Sequence, residues 1–489
     1  MNDSARSRGS RDSLRTAPAY AAVDLGATSG RVVLAVPSEG QMWVVHRFAN
    51  TPLGDAATLH WNTDHLFQET IVGLGRARHE AESFGGELSG IGIDSWGVDY
   101  GLLKGDALAA PVRHYRRMGL DAMYDTLRVM GADQLYGITG VLEQPINTLV
   151  QLHADLNDGL LAAVDHLLPL PDLWVYWMTG RLGTEPTIAS TTQLFDARDQ
   201  NWSAEIISEF ALPRHIFPDI CETGSVAAVT TPWLTEKIGA RLPVPVFRVG
   251  SHDTSSAFAV SQILTGARSG LVSSGSWTLV AEVTPEPVLE SESRTLGFTN
   301  EKATDGRNLH MHNLHGLRLL EECIREEAKL PGGIDVTTLV ERARDVAQPA
   351  EFDLAAPALL ASDGIRTVVD RLCEEAGFAP PTDLRARARA IFESIATAVA
   401  TSISHSATPE AVSVVGGGSR NDLLCELIAD RTGMPVIAGP AEAAALGNIL
   451  VQALGHGQSP VSAMKNFVGT TVTYQPTAGP HRSRSTSNE

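Results

Sequence analysis

The spacing of apolar positions in the first hundred residues changes from a strand pattern to a helix pattern and back. Two β-rich runs, residues 21–36 and 42–48, flank Pro37-Ser38-Glu39-Gly40 and predict a β-hairpin. Behind the N-cap side chains of Asn62-Thr63-Asp64, six residues recur at helical spacing and predict a helix: Leu66, Phe67, Thr70, Ile71, Leu74 and Ala77. Residues 90–94 then predict a short buried strand.

A second helical pattern lies far along the chain. Seven residues form its apolar face, namely Leu384, Ala388, Ile391, Phe392, Ile395, Val399 and Ile403. Arg385, Arg389 and Glu393 are predicted to lie off that face. We interpret both helices as scaffold.

A strand, a glycine turn and a second strand follow one another twice, at residues 23–31 and 271–279, about half a chain apart. We interpret the repetition as two related α/β domains that face one another across a cleft, with a boundary near residue 260. The predicted domains are residues 19–260 and 261–475.

Both ends of the chain are predicted to be disordered tails. Residues 1–18 are rich in Arg and Ser and lack the apolar segment of a secretory signal. A transit peptide is the weaker alternative, because Asp3 and Asp12 interrupt the basic run. Residues 476–489 are similarly polar.

Composition narrows the class of protein. A chain of 489 residues with 43% apolar and 6% aromatic residues is typical of a globular protein with more than one core. The longest apolar stretches, such as Leu167–Met178, fall short of the roughly 20 residues that span a bilayer. The sequence therefore predicts no membrane segment.

Charge and cysteine content restrict the partners and the compartment. The net charge of −19 disfavours nucleic acid, whose binding depends on Lys and Arg displacing counterions. The negative charge does not exclude nucleotide binding, because backbone N–H groups and a divalent cation can bind the phosphates locally. The four cysteines are widely spaced, which disfavours a disulfide framework or a zinc ribbon and fits a reducing cytoplasm.

The first glycine turn has the composition of a phosphate-binding loop. Asp24 ends an apolar run, Gly26 and Gly30 permit a tight turn, and Ala27-Thr28-Ser29 offers small side chains and N–H groups. A plain hairpin turn is the alternative. The segment lacks the glycine and lysine spacing of a Walker loop and of a dinucleotide-binding turn.

Three consecutive glycines, Gly416-Gly417-Gly418, stand between a predicted strand and a predicted helix. Such a run is entropically costly, so it indicates that something approaches the backbone closely. A nucleotide sugar or base would do so. A close crossing of helix and strand is the alternative.

These elements, in this order, resemble the FGGY carbohydrate kinases of the actin/hexokinase superfamily. Residues 24–31, 274–277 and 415–421 are similar to the family's two phosphate elements and its adenosine element, and the resemblance runs from about Ala21 to Phe467. It implies two RNase H-like (actin-like ATPase) α/β domains. Five further segments resemble the members that phosphorylate L-rhamnulose: 93–100, 171–174, 191–194, 251–257 and 437–443.

The resemblance implies a reaction and its partners. ATP, with Mg²⁺, would phosphorylate L-rhamnulose to L-rhamnulose 1-phosphate. Fuculose or xylulose is the alternative sugar, since a few contacts decide specificity. A nucleotide-binding protein of actin type without sugar chemistry is the alternative from another class. The oligomeric state is left open.

The resemblance also implies a role for the turn at residues 250–254. A sugar hydroxyl must lose a proton as it attacks ATP, so one placed carboxylate is needed as a base. Asp253, after the apolar run 244–249, is the predicted base, with an N-cap as the alternative role. His252, Thr254 and Gly97 are predicted to contact the sugar together with Asp253, as is Asn313.

The remaining implied contacts concern the nucleotide and the metal. Asp24 is predicted to hold Mg²⁺, with Asp94 as a weaker candidate. Glu321 departs from the family pattern, because Gln stands at the corresponding nucleotide contact. A histidine cluster, His310, His312 and His315, is interpreted as structural. The predicted ATP contacts are Ala27, Thr28, Ser29, Gly30, Arg31, Ser276, Glu321 and Gly417.

Overall fold

The computed structural model describes residues 17–265, 269–327, 335–360, 364–405, 409–459 and 471–477. The two predicted tails lie almost wholly outside these ranges. The strands are β1 Ala19–Leu25, β2 Ser29–Val36, β3 Gln41–Ala49, β4 Leu88–Ser95, β5 Tyr100–Lys104, β6 Ala107–Leu108, β7 His166–Pro169, β8 Phe195–Asp196, β9 Asn201–Trp202, β10 Val226–Val229, β11 Pro245–Phe247, β12 Ser269–Ser274, β13 Trp277–Thr284, β14 Thr299–Lys302, β15 Asn308–His315, β16 Ala411–Val415, β17 Val436–Ala438 and β18 Val472–Tyr474.

The helices alternate with these strands along much of the chain, as in other α/β folds. They are α1 Thr63–Ser83, α2 Leu120–Val129, α3 Ala132–Thr139, α4 Thr148–Asn157, α5 Leu170–Thr179, α6 Pro186–Ala189, α7 Ala204–Glu209, α8 Pro232–Lys237, α9 Asp253–Thr265, α10 Ser291–Thr295, α11 Arg318–Glu327, α12 Val336–Ala343, α13 Ile365–Glu375, α14 Leu384–Ser404, α15 Asp422–Thr432 and α16 Ala443–Gly455.

The chain forms two compact units. The first comprises the described residues within 1–263, 283–310 and 444–469, and the second comprises those within 264–282, 311–443 and 470–489. The polypeptide therefore passes between the units several times, and helix α16, late in the sequence, belongs almost entirely to the first unit.

The first unit is built on a six-stranded sheet in the order β10-β11-β4-β1-β2-β3. Strands β1, β4 and β11 are parallel to one another, while β1, β2 and β3 form an antiparallel meander. The register pairs Asp24 of β1 with Asp94 of β4 on one side and with Arg31 of β2 on the other. Three charged side chains are thereby brought together by backbone pairing alone.

The second unit repeats this plan. Six of its strands follow the order β15-β13-β12-β16-β17-β18. Strand β12 pairs antiparallel with β13 and parallel with β16, as β1 does with β2 and β4. The strand–turn–strand repetition in the sequence is therefore confirmed as two sheets with the same local topology.

The predicted scaffold helices are both present. Asn62 caps α1, its side chain accepting the His65 amide at 3.3 Å. Asp383 caps α14 by accepting the Ala386 amide at 2.8 Å, and the apolar face of α14 lies in the core of the second unit. Glu393, predicted to lie off that face, is nevertheless buried, and Arg389 and Arg431 neutralise its carboxylate.

Two further observations concern membrane-spanning helices and the cysteines. None of the helices within the described ranges combines the length and the apolarity needed to cross a bilayer. All four cysteines, Cys221, Cys323, Cys373 and Cys425, are free thiols.

Candidate active site

Three acidic residues gather where the parallel strands of the first unit end. Asp24 and Asp94 are register partners near the carboxyl ends of β1 and β4, and Asp253 begins α9 soon after β11. The carboxyl ends of parallel strands are where open α/β sheets bind ligands. Asp24 and Asp94 are buried, whereas the Asp253 side chain is 31% exposed. Asp253 is therefore the most exposed of the three carboxylates.

The three carboxylates influence one another electrostatically. Burial raises the pKa of Asp94 well above its ordinary value, and the charges of Asp24 and Asp253 raise it further. Burial also raises the pKa of Asp253, with His252 opposing and Asp24 reinforcing the shift. A raised pKa makes Asp253 a stronger base than an exposed aspartate.

The turn before α9 is held from two sides. The Ser95 amide donates to the Ser251 carbonyl at 2.9 Å, so β4 fixes the turn on one side. On the other side the His252 amide donates to the Thr187 hydroxyl at 3.1 Å. The Thr254 hydroxyl contacts the Asp253 carboxylate at 3.1 Å. His252, Asp253 and Thr254 thus form one ordered group.

His252 is a charged residue in this turn. Its Nδ1 lies 2.6 Å from a carboxylate oxygen of Glu301, and its Nε2 lies 3.5 Å from Asp253. Burial by itself would lower the pKa of His252, but Glu301, Asp253 and Glu185 raise it to about 9. The imidazole is therefore protonated at neutral pH.

The turn between β1 and β2 is open to ligand. Thr28 and Ser29 are exposed, and no acceptor for the amides of Ala27 and Thr28 lies among the described residues. Gly30 has a packing role, since a Cβ there would lie 2.3 Å from the Phe48 ring. The open amides remain available to phosphate oxygens.

Arg31 contacts Asp24 directly. Its Nε and Nη2 lie 2.8 and 2.7 Å from Oδ2 of Asp24, and its side chain is partly exposed. The guanidinium can therefore neutralise Asp24 and still reach a ligand at the same turn.

Gly97 lies against the segment 190–193. A Cβ at Gly97 would come within 3.0 Å of Thr191, whose hydroxyl accepts the Val98 amide at 3.2 Å. Val98 adopts a φ of 69°, which is strained for a β-branched residue. The strain and the close approach both indicate a constrained backbone beside the turn that carries His252.

Asp99 is unavailable as a base. One of its oxygens accepts the indole N–H groups of Trp61 and Trp96 at 2.6 and 2.8 Å, and the other accepts the Gln151 amide at 3.2 Å. Burial raises the pKa of Asp99 to about 7, although these donors oppose the shift. The side chain serves to hold two tryptophans in place.

In the second unit the turn at 274–277 contacts two other segments. One is the chain at Gly316, between Asn313 and Glu321, and the other is the glycine run 416–418. Ser276 accepts the Gly316 amide through its carbonyl at 3.2 Å. A Cβ at Gly418 would lie 2.2 Å from the Ser274 hydroxyl, whereas a Cβ at Gly417 would meet nothing within 4 Å. The close crossing thus explains Gly418, and Gly417 is the glycine whose surroundings leave room for a ligand.

Asn313 and Glu321 differ in their surroundings. The buried Oδ1 of Asn313 has no hydrogen-bond partner in the part of the chain that the structure describes, which makes it a candidate ligand contact. Glu321 lies exposed on the first turn of α11, with its amide bonded to Leu317.

Asp24 and Asp94 are the residues that suit a hard cation such as Mg²⁺. The buried Oδ1 of Asp94 has no hydrogen-bond partner among the described residues, and a cation would relieve the repulsion between the two acids. No group of three or more ligating side chains is arranged to enclose a metal in the described residues. Mg²⁺ typically needs only one or two carboxylates, because waters and phosphates complete its shell.

The sequence did not point to several residues that support this site. Glu301 contacts His252, Glu185 accepts the Ser251 amide at 3.2 Å, and Asn448 donates to Asp94 at 2.6 Å. Each stands far along the chain from its partner, outside any motif. These residues are recognised because their polar side chains are buried, and burial is known only from the folded structure.

Comparison with known proteins finds matches to carbohydrate kinases along most of the chain. Residues 19–259 match the N-terminal domain of the FGGY family of carbohydrate kinases, and residues 270–456 match its C-terminal domain. A rhamnulokinase from Bacteroides thetaiotaomicron is 33% identical over 474 residues, covering 94% of this chain and 96% of that protein. A rhamnulokinase from an Enterobacter species is 32% identical over 446 residues, covering 88% of each protein.

Solved structures agree on the fold. The crystal structure of a gluconate kinase from Lactobacillus acidophilus covers 94% of each chain with a TM-score of 0.76 at 14% identity. That likeness confirms the predicted two-domain α/β fold, and the family matches confirm the resemblance carried by the glycine elements. This chain belongs to the FGGY family of carbohydrate kinases.

Proposed function

We propose that this chain is a rhamnulokinase, which transfers the γ-phosphoryl group of ATP to L-rhamnulose and yields L-rhamnulose 1-phosphate and ADP. The observation that carries the proposal is the Asp253 carboxylate, partly exposed among Asp24, Asp94 and a protonated His252. The choice of sugar is supported by relatives called rhamnulokinase at 32–33% identity.

Asp253 is proposed to act as the general base. Its carboxylate would take the proton of the sugar hydroxyl as that oxygen forms a bond to the γ-phosphorus and the bond to the β–γ bridging oxygen breaks. His252, Thr254, Gly97 and Asn313 would orient the sugar. The protonated imidazole beside Asp253 would also keep the carboxylate ionised.

The phosphates are proposed to bind at the two glycine turns. Backbone N–H groups of residues 27–30 and the guanidinium of Arg31 would hold the anionic oxygens, and Ser276 of the second turn would contribute a further contact. Gly417 would lie against the adenosine, and Glu321 is proposed as a further nucleotide contact.

Mg²⁺ is proposed to bind through Asp24 and Asp94. When bound, it would supply positive charge to the phosphates of ATP during transfer.

A panel of ketoses tests the proposed function. ADP release is expected to require both Mg²⁺ and a free sugar, with the highest kcat/KM for L-rhamnulose and phosphate on C1 of the product. Equal efficiency with fuculose or xylulose would refute the choice of sugar and leave the kinase activity standing. ATP hydrolysis that no sugar stimulates would favour a nucleotide-binding protein without sugar chemistry.

Arg31→Ala is expected to weaken ATP binding by roughly 10-fold or more, because a hydrogen bond to a charged group contributes about 1.5–3 kcal/mol. L-Rhamnulose binding should change by less than about 2-fold, since Arg31 faces the phosphate turn. Calorimetric titration with each ligand measures both effects.

The matched control is Arg241→Ala, which removes the same charge from a side chain that is 76% exposed and distant in sequence from the glycine turns. The control should leave both affinities unchanged. If Arg31→Ala also leaves the ATP affinity unchanged, Arg31 only forms an ion pair with Asp24 and contacts no phosphate.

A further inference from the structure

A chain of three side chains leads from β14 to the proposed base. Glu301 lies 2.6 Å from Nδ1 of His252, and Nε2 of the same imidazole lies 3.5 Å from Asp253. Glu301 and His252 are both buried, while Asp253 is partly exposed. The arrangement therefore has a buried anionic end and a ligand-facing end.

Neighbouring contacts hold Glu301 in place. The Lys302 amide donates to the Ser190 hydroxyl at 2.9 Å, and the Ser255 hydroxyl donates to the Lys302 carbonyl at 2.8 Å. Strand β14 is thus tied to the first turn of α9, the helix that Asp253 begins. Two serine hydroxyls thus fix the backbone of Lys302, the residue after Glu301, relative to α9.

The imidazole has a defined orientation because its two nitrogens have different partners. With Nδ1–H donated to Glu301, the ring turns Nε2 toward Asp253 and cannot rotate without breaking a charged hydrogen bond in a buried site. Without Glu301 the ring would lose its anchor, and burial would favour the neutral imidazole.

We propose that Glu301 is a positioning residue for phosphoryl transfer, which holds His252 as an oriented cation beside the carboxylate of Asp253. The inference rests on the proposed function, because it assigns Glu301 to the same base. Glu301 is not expected to touch substrate.

Other charges also face His252. They are Glu301 from β14, Asp253 at the start of α9 and Glu185 at the N-terminus of α6, and all three raise the pKa of the imidazole. Glu185 also accepts the Ser251 amide and the hydroxyls of Thr187 and Thr223, so its charge is shared among several donors. Glu301 is the acid whose hydrogen bond goes to the imidazole itself.

Glu301→Gln tests the inference in the full chain. The amide keeps the shape and an acceptor oxygen but removes the negative charge. Loss of a partner that orients a metal-bound imidazole costs about 10–100-fold, and by analogy kcat should fall in that range, with a smaller change in the KM for the sugar. Glu301→Asp, which retains the charge, should recover part of the loss.

Two readouts separate positioning from simple stability. The acidic limb of the kcat/KM profile should move to higher pH in Glu301→Gln, because a neutral imidazole no longer lowers the pKa of Asp253. The NMR titration of His252, assigned by its loss in His252→Asn, should move from about 9 to lower pH. Melting temperatures of all variants report on folding.

Glu69→Gln is the matched control. Glu69 pairs with Nε2 of His46 at 2.5 Å in the same unit, and neither residue belongs to the proposed site. This variant should keep wild-type kcat and pH dependence. A Glu301→Gln variant that behaves like this control would overturn the inference.

A double-mutant cycle provides a second test of whether Glu301 acts through His252. If Glu301 acts through His252, adding Glu301→Gln to His252→Asn should cause little further loss of kcat. Independent, multiplicative losses would refute the inference. If the wild-type chain phosphorylates no sugar, the proposed function fails. The NMR titration of His252 then decides by itself whether Glu301 stabilises the protonated imidazole.

Discussion

Asp253→Asn is expected to lower the turnover number for phosphoryl transfer by about 10²–10⁴-fold, the usual contribution of a positioned general base. The amide keeps the size of the side chain and much of its hydrogen bonding but cannot accept the hydroxyl proton. ATP and sugar affinities should therefore change only modestly. Turnover, both affinities and the melting temperature, measured on one preparation, test the prediction.

A purely structural role for Asp253 predicts a different result. Asn caps helices about as well as Asp, so a capping residue would tolerate this change with near-normal turnover. Asp335→Asn is the matched control, because Asp335 caps α12 by accepting the amides of Thr337 and Thr338 at an exposed site. If Asp253→Asn behaves like Asp335→Asn, Asp253 is not the base. Asp94 would then be the next candidate, since Asp99 is fully engaged by its donors.

Arg248→Met is expected to lower the free energy of unfolding by about 3–5 kcal/mol, because breaking a buried ion pair leaves an uncompensated partner. The guanidinium of Arg248 lies 3.0 Å from Asp172, and the two side chains are only 3% and 1% exposed. It also donates to the carbonyls of Gly183 and Leu182. Urea unfolding of both proteins at pH 9, where Asp172 is ionised, measures the full difference.

The loss should depend on pH in a defined direction. Burial raises the pKa of Asp172 to about 8, although Arg248 lowers it. A raised carboxyl pKa contributes stability that is present below the unfolded pKa and is lost as pH rises to the folded pKa. Without Arg248 this pKa rises further, so the variant continues to lose stability above pH 8. The difference from the wild type should therefore widen between about pH 7 and pH 9.

Arg371→Met provides the control for this prediction. Arg371 and Glu375 form a pair at 3.4 Å on the surface of α13, with side chains 54% and 56% exposed. Exposed pairs contribute about 0–1 kcal/mol, so this variant should be nearly neutral. A loss of similar size in both variants would show that the burial of the Arg248–Asp172 pair is unimportant.

The local sequence pattern was sufficient to predict those helices and strands that depend on residues close together in the chain. The Asn62 cap, the length of α14 and the hairpins are set by residues within a few positions of one another. The two glycine turns also stand where the alternation of strand and turn indicates. The carboxyl ends of parallel strands then bring Asp24 and Asp94 together without further information.

The sequence by itself therefore determined the fold class and the family, and it supplied the segments that are proposed to bind the ligands, because each of these depends on contiguous motifs. Tertiary structure alone decided which polar side chains are partners: His252 meets Glu301 across 49 positions, and Asp94 meets Asn448 across 354. It also revealed that Asp172, within a family motif, belongs to a buried ion pair, and that the carboxylate of Glu393 is buried and paired with Arg389 and Arg431. The physical reason is that a buried charge must be compensated by whatever the fold brings near it, and that neighbour has no fixed spacing along the chain.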